Sequence, residues 1–351
     1  MKKRNSFILV KIFFIILFSN CSFSSYNPGM ASEENNLASP LNPFSKDINN
    51  NSFQVTPEIF IHFEKVGKGE NLLYVHGGPG IPMQAIGGLS KLKGKSLILY
   101  HARGTGDSTK PIDKFEEDSW PMNIPLLEKK LGLSAQIADI ERIKRILGDE
   151  KINIVGHSYG GLIASLYASE FPGSVNKLIL VNPAPIVFSG NQKENDLFSK
   201  IGEYQETEEQ KQEYRDYMKR FMETFDSLWI QNETSLNKLL GEMGIYYSRA
   251  AKNKDFKIPD KIPSEWIGGW NSFALFLSSG RSYDYSKFIK NHIKAETLLL
   301  VSDNDITELN VYDNYRTSIP NVKEVVLKGT GHFPFLDNPK EFSKEVLDFL
   351  Q

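Results

Sequence analysis

The sequence predicts an α/β protein with a mostly parallel sheet and helices on both faces. Two observations carry this prediction: short apolar runs recur between turn residues, and stretches with helical spacing separate them. The runs are rich in β-branched residues or leucine without polar alternation, which is typical of strands buried on both faces. They lie at residues 59–63, 72–75, 96–100, 152–155, 177–181, 297–301 and 324–327.

Two helical stretches have clear ends. Residues 137–147 keep apolar side chains at helical spacing up to a stop at Gly148, and residues 162–171 end at the Pro-Gly pair 172–173. A third pattern is an apolar stripe at residues 214–228, which follows a capping-box sequence, Thr-x-x-Gln. We interpret this stripe as ordinary packing surface.

The chain is predicted to have four parts. Residues 1–20 form a signal peptide, and residues 21–52, rich in Asn and Ser with three prolines, form a flexible tether. Residues 53–186 and 287–351 form the α/β core. Strand patterns stop between them, so residues 187–286 are predicted to be a helical cap over the strand ends, where open α/β proteins bind ligands.

The N-terminus carries the features of an export signal. Three basic residues at 2–4 precede an apolar stretch at 7–18 that only Lys11 interrupts. A membrane-spanning helix needs roughly 20 apolar residues, so the stretch is too short to span and favours a secretory signal. Cys21 follows a segment that resembles a loose bacterial lipobox. We predict an exported lipoprotein, anchored to a membrane through lipidated Cys21; the alternatives are a secreted or periplasmic protein, and an uncleaved anchor or a cysteine placed there by chance.

Composition excludes several function classes. The 351 residues are 40% hydrophobic and 24% charged, as in soluble globular proteins, and 41 Lys and Arg balance 43 Asp and Glu. This near-neutral charge argues against nucleic acid as a partner and favours a small molecule or short peptide. A single cysteine excludes a disulfide within one chain and a cysteine-based zinc site.

The segment GHSYG at residues 156–160 follows the strand at 152–155 and opens a helix. This strand, turn and helix is the setting of a nucleophile elbow. The turn is so sharp that a Cβ on Gly156 or Gly160 would collide with the neighbouring helix or strand. Ser158 lies between them in a strained conformation, and we predict that it is a catalytic nucleophile.

A serine nucleophile needs a histidine to take its proton and a carboxylate to orient that histidine. On this type of fold the chain order is serine, acid, histidine. His332 is the only histidine after residue 292 and directly follows a predicted strand. Asp303 and Asp305 compete for the acid position. We prefer Asp305, because a turn of three or four residues would bring its carboxylate over the strand tip, whereas Asp303 would close the turn.

A glycine-rich segment, HGGPG at residues 76–80, follows the strand at 72–75. A tetrahedral intermediate needs backbone N–H donors aimed at its oxygen, and glycine lets the backbone approach closely. The predicted donors are the N–H of Gly78, or of Gly77, and the N–H of Tyr159.

The other histidines receive structural predictions. His76 is expected to organise its loop, and His157 is expected to support the elbow. His62, His101 and His292 have no acidic or histidine partner at metal-ligand spacing in the sequence, so we predict no metal. Nothing in the sequence requires a cofactor.

The motifs resemble a known family. HGGPG at 76–80 together with GHSYGG at 156–161 is similar to the proline iminopeptidase family of serine peptidases, within the α/β-hydrolase superfamily. RGTGDS at 103–108 resembles a further segment of that family, and the order of elements is similar from about 53 to 351. The resemblance implies an α/β-hydrolase fold with a helical cap and an enzyme that removes N-terminal proline, or another residue, from short peptides.

The same resemblance implies residue roles. Ser158, Asp305 and His332 would form the catalytic triad, with Gly78 and Tyr159 as the oxyanion hole. Members with HGGPG also act on non-peptide esters or amides.

The sequence departs from the family in two places. His101-Ala102 stands where the family commonly has Asp-Gln, and no cap residue matches the acidic groups that hold the substrate's amino group in the family. The available cap glutamates, most of them expected on solvated helix surface, are Glu203, Glu206, Glu208, Glu209, Glu213, Glu223, Glu242 and Glu265. The first hypothesis is therefore a serine aminopeptidase acting through an acyl-enzyme. The alternatives are a carboxylesterase or other acyl hydrolase, and a non-catalytic binding lipoprotein on a hydrolase fold.

Overall fold

The computed structural model contains one large sheet and one small one. It describes residues 26–33, 37, 46–47, 51–82, 87–115, 120–189, 197–226, 232–250, 263–280, 282–307 and 309–351. Its strands are β1 (Lys46–Asp47), β2 (Ser52–Thr56), β3 (Ile59–Gly67), β4 (Glu70–Val75), β5 (Lys95–Tyr100), β6 (Ile152–His157), β7 (Val175–Val181), β8 (Val187–Ser189), β9 (Ser282–Asp284), β10 (Glu296–Ser302) and β11 (Val322–Leu327).

The large sheet has nine strands in the order β1-β2-β3-β5-β4-β6-β7-β10-β11. Strands β5, β4, β6, β7, β10 and β11 pair in parallel, whereas β1, β2 and β3 form an antiparallel edge. Each of the seven predicted strands is present and reaches the predicted boundaries or extends beyond them. The predicted mostly parallel α/β architecture is confirmed.

Helices lie on both faces of this sheet, and others lie within the insertion. They are α1 (Met30–Glu33), α2 (Trp120–Leu131), α3 (Leu133–Leu147), α4 (Tyr159–Glu170), α5 (Leu197–Glu203), α6 (Glu208–Asp226), α7 (Glu233–Ala250), α8 (Gly269–Ser279), α9 (Ser286–His292), α10 (Asp313–Ser318), α11 (Pro334–Asp337) and α12 (Pro339–Phe349). Leu178 and Leu180 of β7 pack in one apolar cluster with α3 and α4. Ile179 and Val181 pack in another with α12. Alternate residues of one strand therefore meet helices on opposite sides.

The predicted helix ends are confirmed. Helix α3 stops at Gly148, whose φ of 79° lets its N–H bond back to the carbonyls of Lys144 and Arg145. Helix α4 ends at Glu170, just before the Pro-Gly pair.

The insertion begins and ends on a small sheet. Strands β8 and β9 pair antiparallel, with Phe188 opposite Tyr283, at the positions where the predicted cap starts and stops. Both strands were missed in the sequence because each has three residues and its partner lies far away along the chain.

Helices α5, α6 and α7 lie within the insertion and pack around tyrosines. Thr207 Oγ1 accepts the Gln210 N–H at 3.1 Å and Gln210 Oε1 accepts the Thr207 N–H at 3.4 Å, which is the predicted capping box. Tyr214, Tyr217 and Phe221 of the predicted stripe are buried in one cluster, as expected of packing surface. Met222 is exposed, and Phe225 and Leu228 lie outside the residues whose side chains are described.

Helix α8 differs from the predicted cap. Trp270 and Phe273 pack with Leu127 and Leu131 of the core helix α2 in a cluster of buried residues. Most of α8 is buried, as expected of a helix that is apolar all round. This last part of the insertion is therefore joined to the core.

Part of the predicted tether also belongs to the folded body. Tyr26 is 1% exposed, its hydroxyl donates to the carboxylate of Glu170, and its N–H donates to the Ser278 carbonyl at 3.2 Å. The Leu37 carbonyl accepts from Arg145 at 3.1 Å. The prediction of a flexible tether over 21–52 is wrong for these described residues. The segment is polar in sequence, but the Tyr26 side chain is buried and bonds to Glu170.

The predicted signal at 1–20 and Cys21 lie outside the described residues. Within the described part of the chain, no helix is long and apolar enough to cross a bilayer.

Candidate active site

Ser158 occupies the turn between β6 and α4 in a strained conformation. Its φ is 54° and ψ is −126°, a combination that side-chain-bearing residues rarely adopt, and the residue is partly exposed. A Cβ on Gly156 would lie 2.8 Å from the Ala164 Cβ, and one on Gly160 would overlap the Val75 carbonyl oxygen. The steric reason predicted for both glycines is therefore present.

His332 and Asp305 meet at the ends of β10 and β11. His332 Nδ1 lies 2.9 Å from Asp305 Oδ1 and 3.2 Å from Oδ2. Asp303 instead accepts the Gly329 N–H at 2.7 Å and closes the turn. Of the two competing carboxylates, Asp305 is thus the one beside the histidine.

Asp305 is held as a carboxylate. Burial raises the pKa of Asp305, but His332, the Tyr312 hydroxyl at 2.8 Å and the Thr307 N–H together outweigh burial and keep the pKa below its ordinary value. An ionised carboxylate at Nδ1 fixes the proton there and leaves Nε2 of His332 to act as a base.

Ser158 and His332 are linked through His157, the last residue of β6. The His157 ring lies 4.8 Å from the His332 ring, and its Nε2 donates to the His332 carbonyl at 2.7 Å. Burial and the neighbouring His332 lower the pKa of His157 to about 3, so His157 is neutral near pH 7. Among the described residues no hydrogen bond joins Ser158 Oγ to the His332 ring; such bonds often tighten only when substrate binds.

The HGGPG loop lies against the elbow. A Cβ on Gly77 would fall 2.6 Å from the Ser158 Cβ, and Gly78, with a φ of 66°, closes a turn by accepting the Ile81 N–H. Tyr159 is the first residue of α4, so its N–H has no acceptor within the helix. The HGGPG loop and the start of α4 therefore both lie beside Ser158, and Gly77 and Gly78 both stay candidate donors together with Tyr159.

His76 organises this loop, as predicted. Its Nε2 accepts the Ala102 N–H at 3.3 Å, which leaves the proton on Nδ1 to donate to the Gly77 carbonyl at 3.1 Å. Burial lowers the pKa of His76 and keeps the ring neutral.

The segment just before α8 is hydrogen-bonded to the HGGPG loop. The Gly80 carbonyl accepts the Gly268 N–H at 2.7 Å, and a Cβ on Gly80 would clash with Gly268. The Tyr159 hydroxyl reaches α8, where it lies 2.6 Å from Ser279 Oγ. Neither link could be anticipated from a motif in the sequence.

One residue of the insertion that the sequence did not single out lies close to His332. The Tyr247 ring of α7 lies 5.8 Å from the His332 ring. Burial first, then Asp305 and Asp337, raise the pKa of Tyr247 well above its usual range, so its hydroxyl stays neutral.

The structure corrects the expectation that His62 and His101 lack partners. Together with Asp107 they offer ligand atoms within 4.8 Å of one another. However, His101 Nδ1 accepts the Asp107 N–H at 3.1 Å, so the neutral ring carries its proton on Nε2 and has no bare nitrogen ready for a metal. The absence of a metal stays a prediction.

The RGTGDS segment makes structural contacts after β5. Arg103 forms a buried ion pair with Asp139, and the Ser108 hydroxyl donates to the His101 carbonyl at 2.6 Å. His292 lies elsewhere, exposed at the end of α9, where its Nδ1 contacts the Phe288 carbonyl.

The sequence matches the family described as alpha/beta hydrolase fold over residues 70–339. The chain belongs to this family. This α/β hydrolase is 24% identical over 313 residues to the proline iminopeptidase of Thermoplasma volcanium, with 84% of the chain and 94% of that relative covered.

Two solved structures share the fold. The proline iminopeptidase of Mycobacterium smegmatis superposes with a TM-score of 0.55 and 16% identity, covering 84% of this hydrolase and 95% of that chain. The esterase EaEST from Exiguobacterium antarcticum superposes with a TM-score of 0.56 and 18% identity, covering 85% and 98%.

Proposed function

We propose that this α/β hydrolase is a serine hydrolase that works through an acyl-enzyme. The observation that carries the proposal is the His332–Asp305 pair together with the strained Ser158, against which the HGGPG loop packs. A buried carboxylate whose pKa is perturbed by a specific partner marks a candidate functional site.

In the proposed reaction, Ser158 Oγ attacks the substrate carbonyl carbon while His332 Nε2 takes the hydroxyl proton. The N–H groups of Gly78 and Tyr159 stabilise the oxyanion of the tetrahedral intermediate. Asp305 stabilises the imidazolium, which then gives its proton to the leaving amine or alcohol. Water, deprotonated by His332, attacks the acyl-enzyme and releases the acid and free Ser158.

The preferred substrate class is a short peptide with N-terminal proline or another small residue. The HGGPG and GHSYGG motifs and the relatives named proline iminopeptidase support this choice. The eight cap glutamates named above give no further guidance: seven of them are exposed, and the eighth, Glu242, is part-buried and paired with Arg220.

The second candidate is a carboxylesterase or other acyl hydrolase. His101-Ala102, which replaces the family's Asp-Gln, favours it: the His101 ring is buried and bonded to its own loop, so this position offers no acidic group to an amine. The fold likeness to an esterase is compatible with this alternative. A non-catalytic binding lipoprotein is a third candidate, which an intact Ser-His-Asp arrangement disfavours.

The test is labelling by a fluorophosphonate, followed by a substrate panel. Wild-type protein should be labelled, Ser158→Ala should not, and Ser165→Ala, a buried serine of the same helix, should be labelled like wild type. Turnover of a proline arylamide supports the peptidase, whereas turnover of short acyl esters without amides supports the esterase. Equal labelling of wild type and Ser158→Ala would reject the proposal.

We also propose that Cys21 carries a lipid anchor and that the enzyme is exported. The basic start, the short apolar stretch and the position of the sole cysteine support this. Mass spectrometry of the mature protein should find an acylated Cys21 at the N-terminus, and Cys21→Ser should leave the membrane fraction. Another N-terminus, or no acyl mass, would reject lipidation without affecting the hydrolase proposal.

A further inference from the structure

Asn182 follows β7 in a conformation that few residues tolerate. Its φ is 40° and it is 1% exposed. Among the described residues only Asn51, Ser158 and Asn182 combine a side chain with a positive φ. Asparagine is one of the residue types that accepts this region, at some cost in energy. Such a conformation persists only where the surrounding contacts stabilise it, so the contacts of Asn182 indicate its role.

The Asn182 side chain bonds to the loops of both the acid and the base. Its Oδ1 accepts the Ser302 N–H at 2.9 Å, and Ser302 ends the strand that leads to Asp305. Its Nδ2 donates to Ser302 Oγ at 3.0 Å and to the carbonyls of Gly331 and His332, both at 3.2 Å. One amide group therefore holds both loops.

The backbone on either side of Asn182 holds the nucleophile. The Val181 carbonyl accepts the Ser158 N–H at 3.0 Å, and the Ala184 N–H donates to the Ser158 carbonyl at 2.8 Å. A Cβ on Gly161 would lie 2.6 Å from the Pro183 Cβ, so the segment also packs closely against the start of α4. The positive φ of Asn182 turns the chain so that the neighbouring backbone bonds to Ser158, whereas the side chain bonds to the loops of Asp305 and His332.

We infer that Asn182 is a positioning residue that fixes the nucleophile, acid and base loops relative to one another. This inference rests on the proposed serine hydrolase chemistry. The His332 carbonyl has two donors, Asn182 Nδ2 and His157 Nε2, and both lie on elements attached to Ser158. Loss of the Asn182 donor lets the histidine loop shift, and a misplacement of about 1 Å can reduce turnover about 100-fold.

The experiment compares Asn182→Ala and Asn182→Gly with Asn153→Ala. Glycine removes the side chain and also the backbone strain, so it separates the two roles of the residue. Asn153 is 2% exposed and accepts from Asn176 at 2.9 Å near the start of β6, at the opposite end of the sheet. It therefore matches the loss of a buried amide without touching the site.

Both Asn182 variants should reduce kcat by about 10- to 100-fold with KM changed by less than about threefold, and should slow fluorophosphonate labelling in parallel. The downfield proton signal of His332 Nδ1–H should move in both variants and not in Asn153→Ala. If Asn182→Ala does not fold, the kcat of Asn182→Gly tests the inference, because glycine adopts the positive φ without strain.

The inference is overturned if the Asn182 variants retain the kcat of Asn153→Ala, or if neither folds, since the role would then be structural. Wild-type protein that resists the probe would instead reject the hydrolase proposal itself.

Discussion

Replacing Asp305 by asparagine tests the assignment of the acid through the tautomer of His332. Asp305 Oδ2 accepts the Tyr312 hydroxyl at 2.8 Å, whereas Oδ1 faces His332 Nδ1 at 2.9 Å. In Asp305→Asn the amide oxygen should keep the Tyr312 bond, which turns the NH2 group toward His332. Nδ1 must then accept a hydrogen bond rather than donate one, so Nε2 carries the ring proton and cannot deprotonate Ser158.

The expected loss is about 10⁴-fold in kcat, which corresponds to about 5.5 kcal/mol of transition-state stabilisation. The assay is burst and steady-state hydrolysis of a nitrophenyl ester, with the thermal midpoint measured alongside. Asp303→Asn is the matched control: its amide oxygen can still accept the Gly329 N–H, so kcat should change by less than about threefold. A larger loss in Asp303→Asn than in Asp305→Asn would refute the reasoning.

Three further predictions concern stability. His157 has a folded pKa of about 3 against about 6.5 when unfolded, so the stability that depends on its neutral ring is complete above about pH 6.5 and is lost as the pH falls toward 3, at about 1.4 kcal/mol per pH unit. Urea unfolding measured between pH 6 and pH 4 should show that the free energy of unfolding depends less steeply on pH in His157→Gln than in wild type, by that amount. Equal pH dependence in the two proteins would contradict the prediction. Deleting residues 1–37 should destabilise the protein by about 3–5 kcal/mol, since it removes buried Tyr26 and leaves Glu170 without that donor, whereas deletion of residues 1–25 should not. Gly156→Ala should lower the yield of folded protein, because its Cβ meets Ala164 at 2.8 Å; wild-type solubility and melting would argue against the crowded elbow.

Much of the fold could be predicted because its signals are local. Buried strands are continuous apolar runs, so the six parallel strands and the neighbouring antiparallel strand β3 were all visible. Gly148 marked a helix end because only a left-handed residue closes that turn easily. Asp305 could be preferred over Asp303 from the distance to the strand tip alone, and the hydrogen bond to His332 agrees with that choice.

The features that were missed depend on partners distant in sequence. Strands β8 and β9 exist because they pair with each other across the whole insertion. The polar segment around Tyr26 is ordered by Glu170, and His62 meets His101 and Asp107 only after the sheet forms. Asn182 carries no motif, since its contacts involve loops that the fold, and not the local sequence, brings together.

The bond between Gly268 and Gly80 bears on how caps can be exchanged among these hydrolases. The segment that follows the cap helices supports the HGGPG loop, which carries the proposed oxyanion donor, and α8 after it is buried against the core. The interchangeable module is therefore shorter than the insertion between β8 and β9. A chimaera in which residues 190–262 are replaced retains that support. Replacing residues 187–286 also removes the Gly268 hydrogen bond, so it changes the support of the HGGPG loop together with the cap.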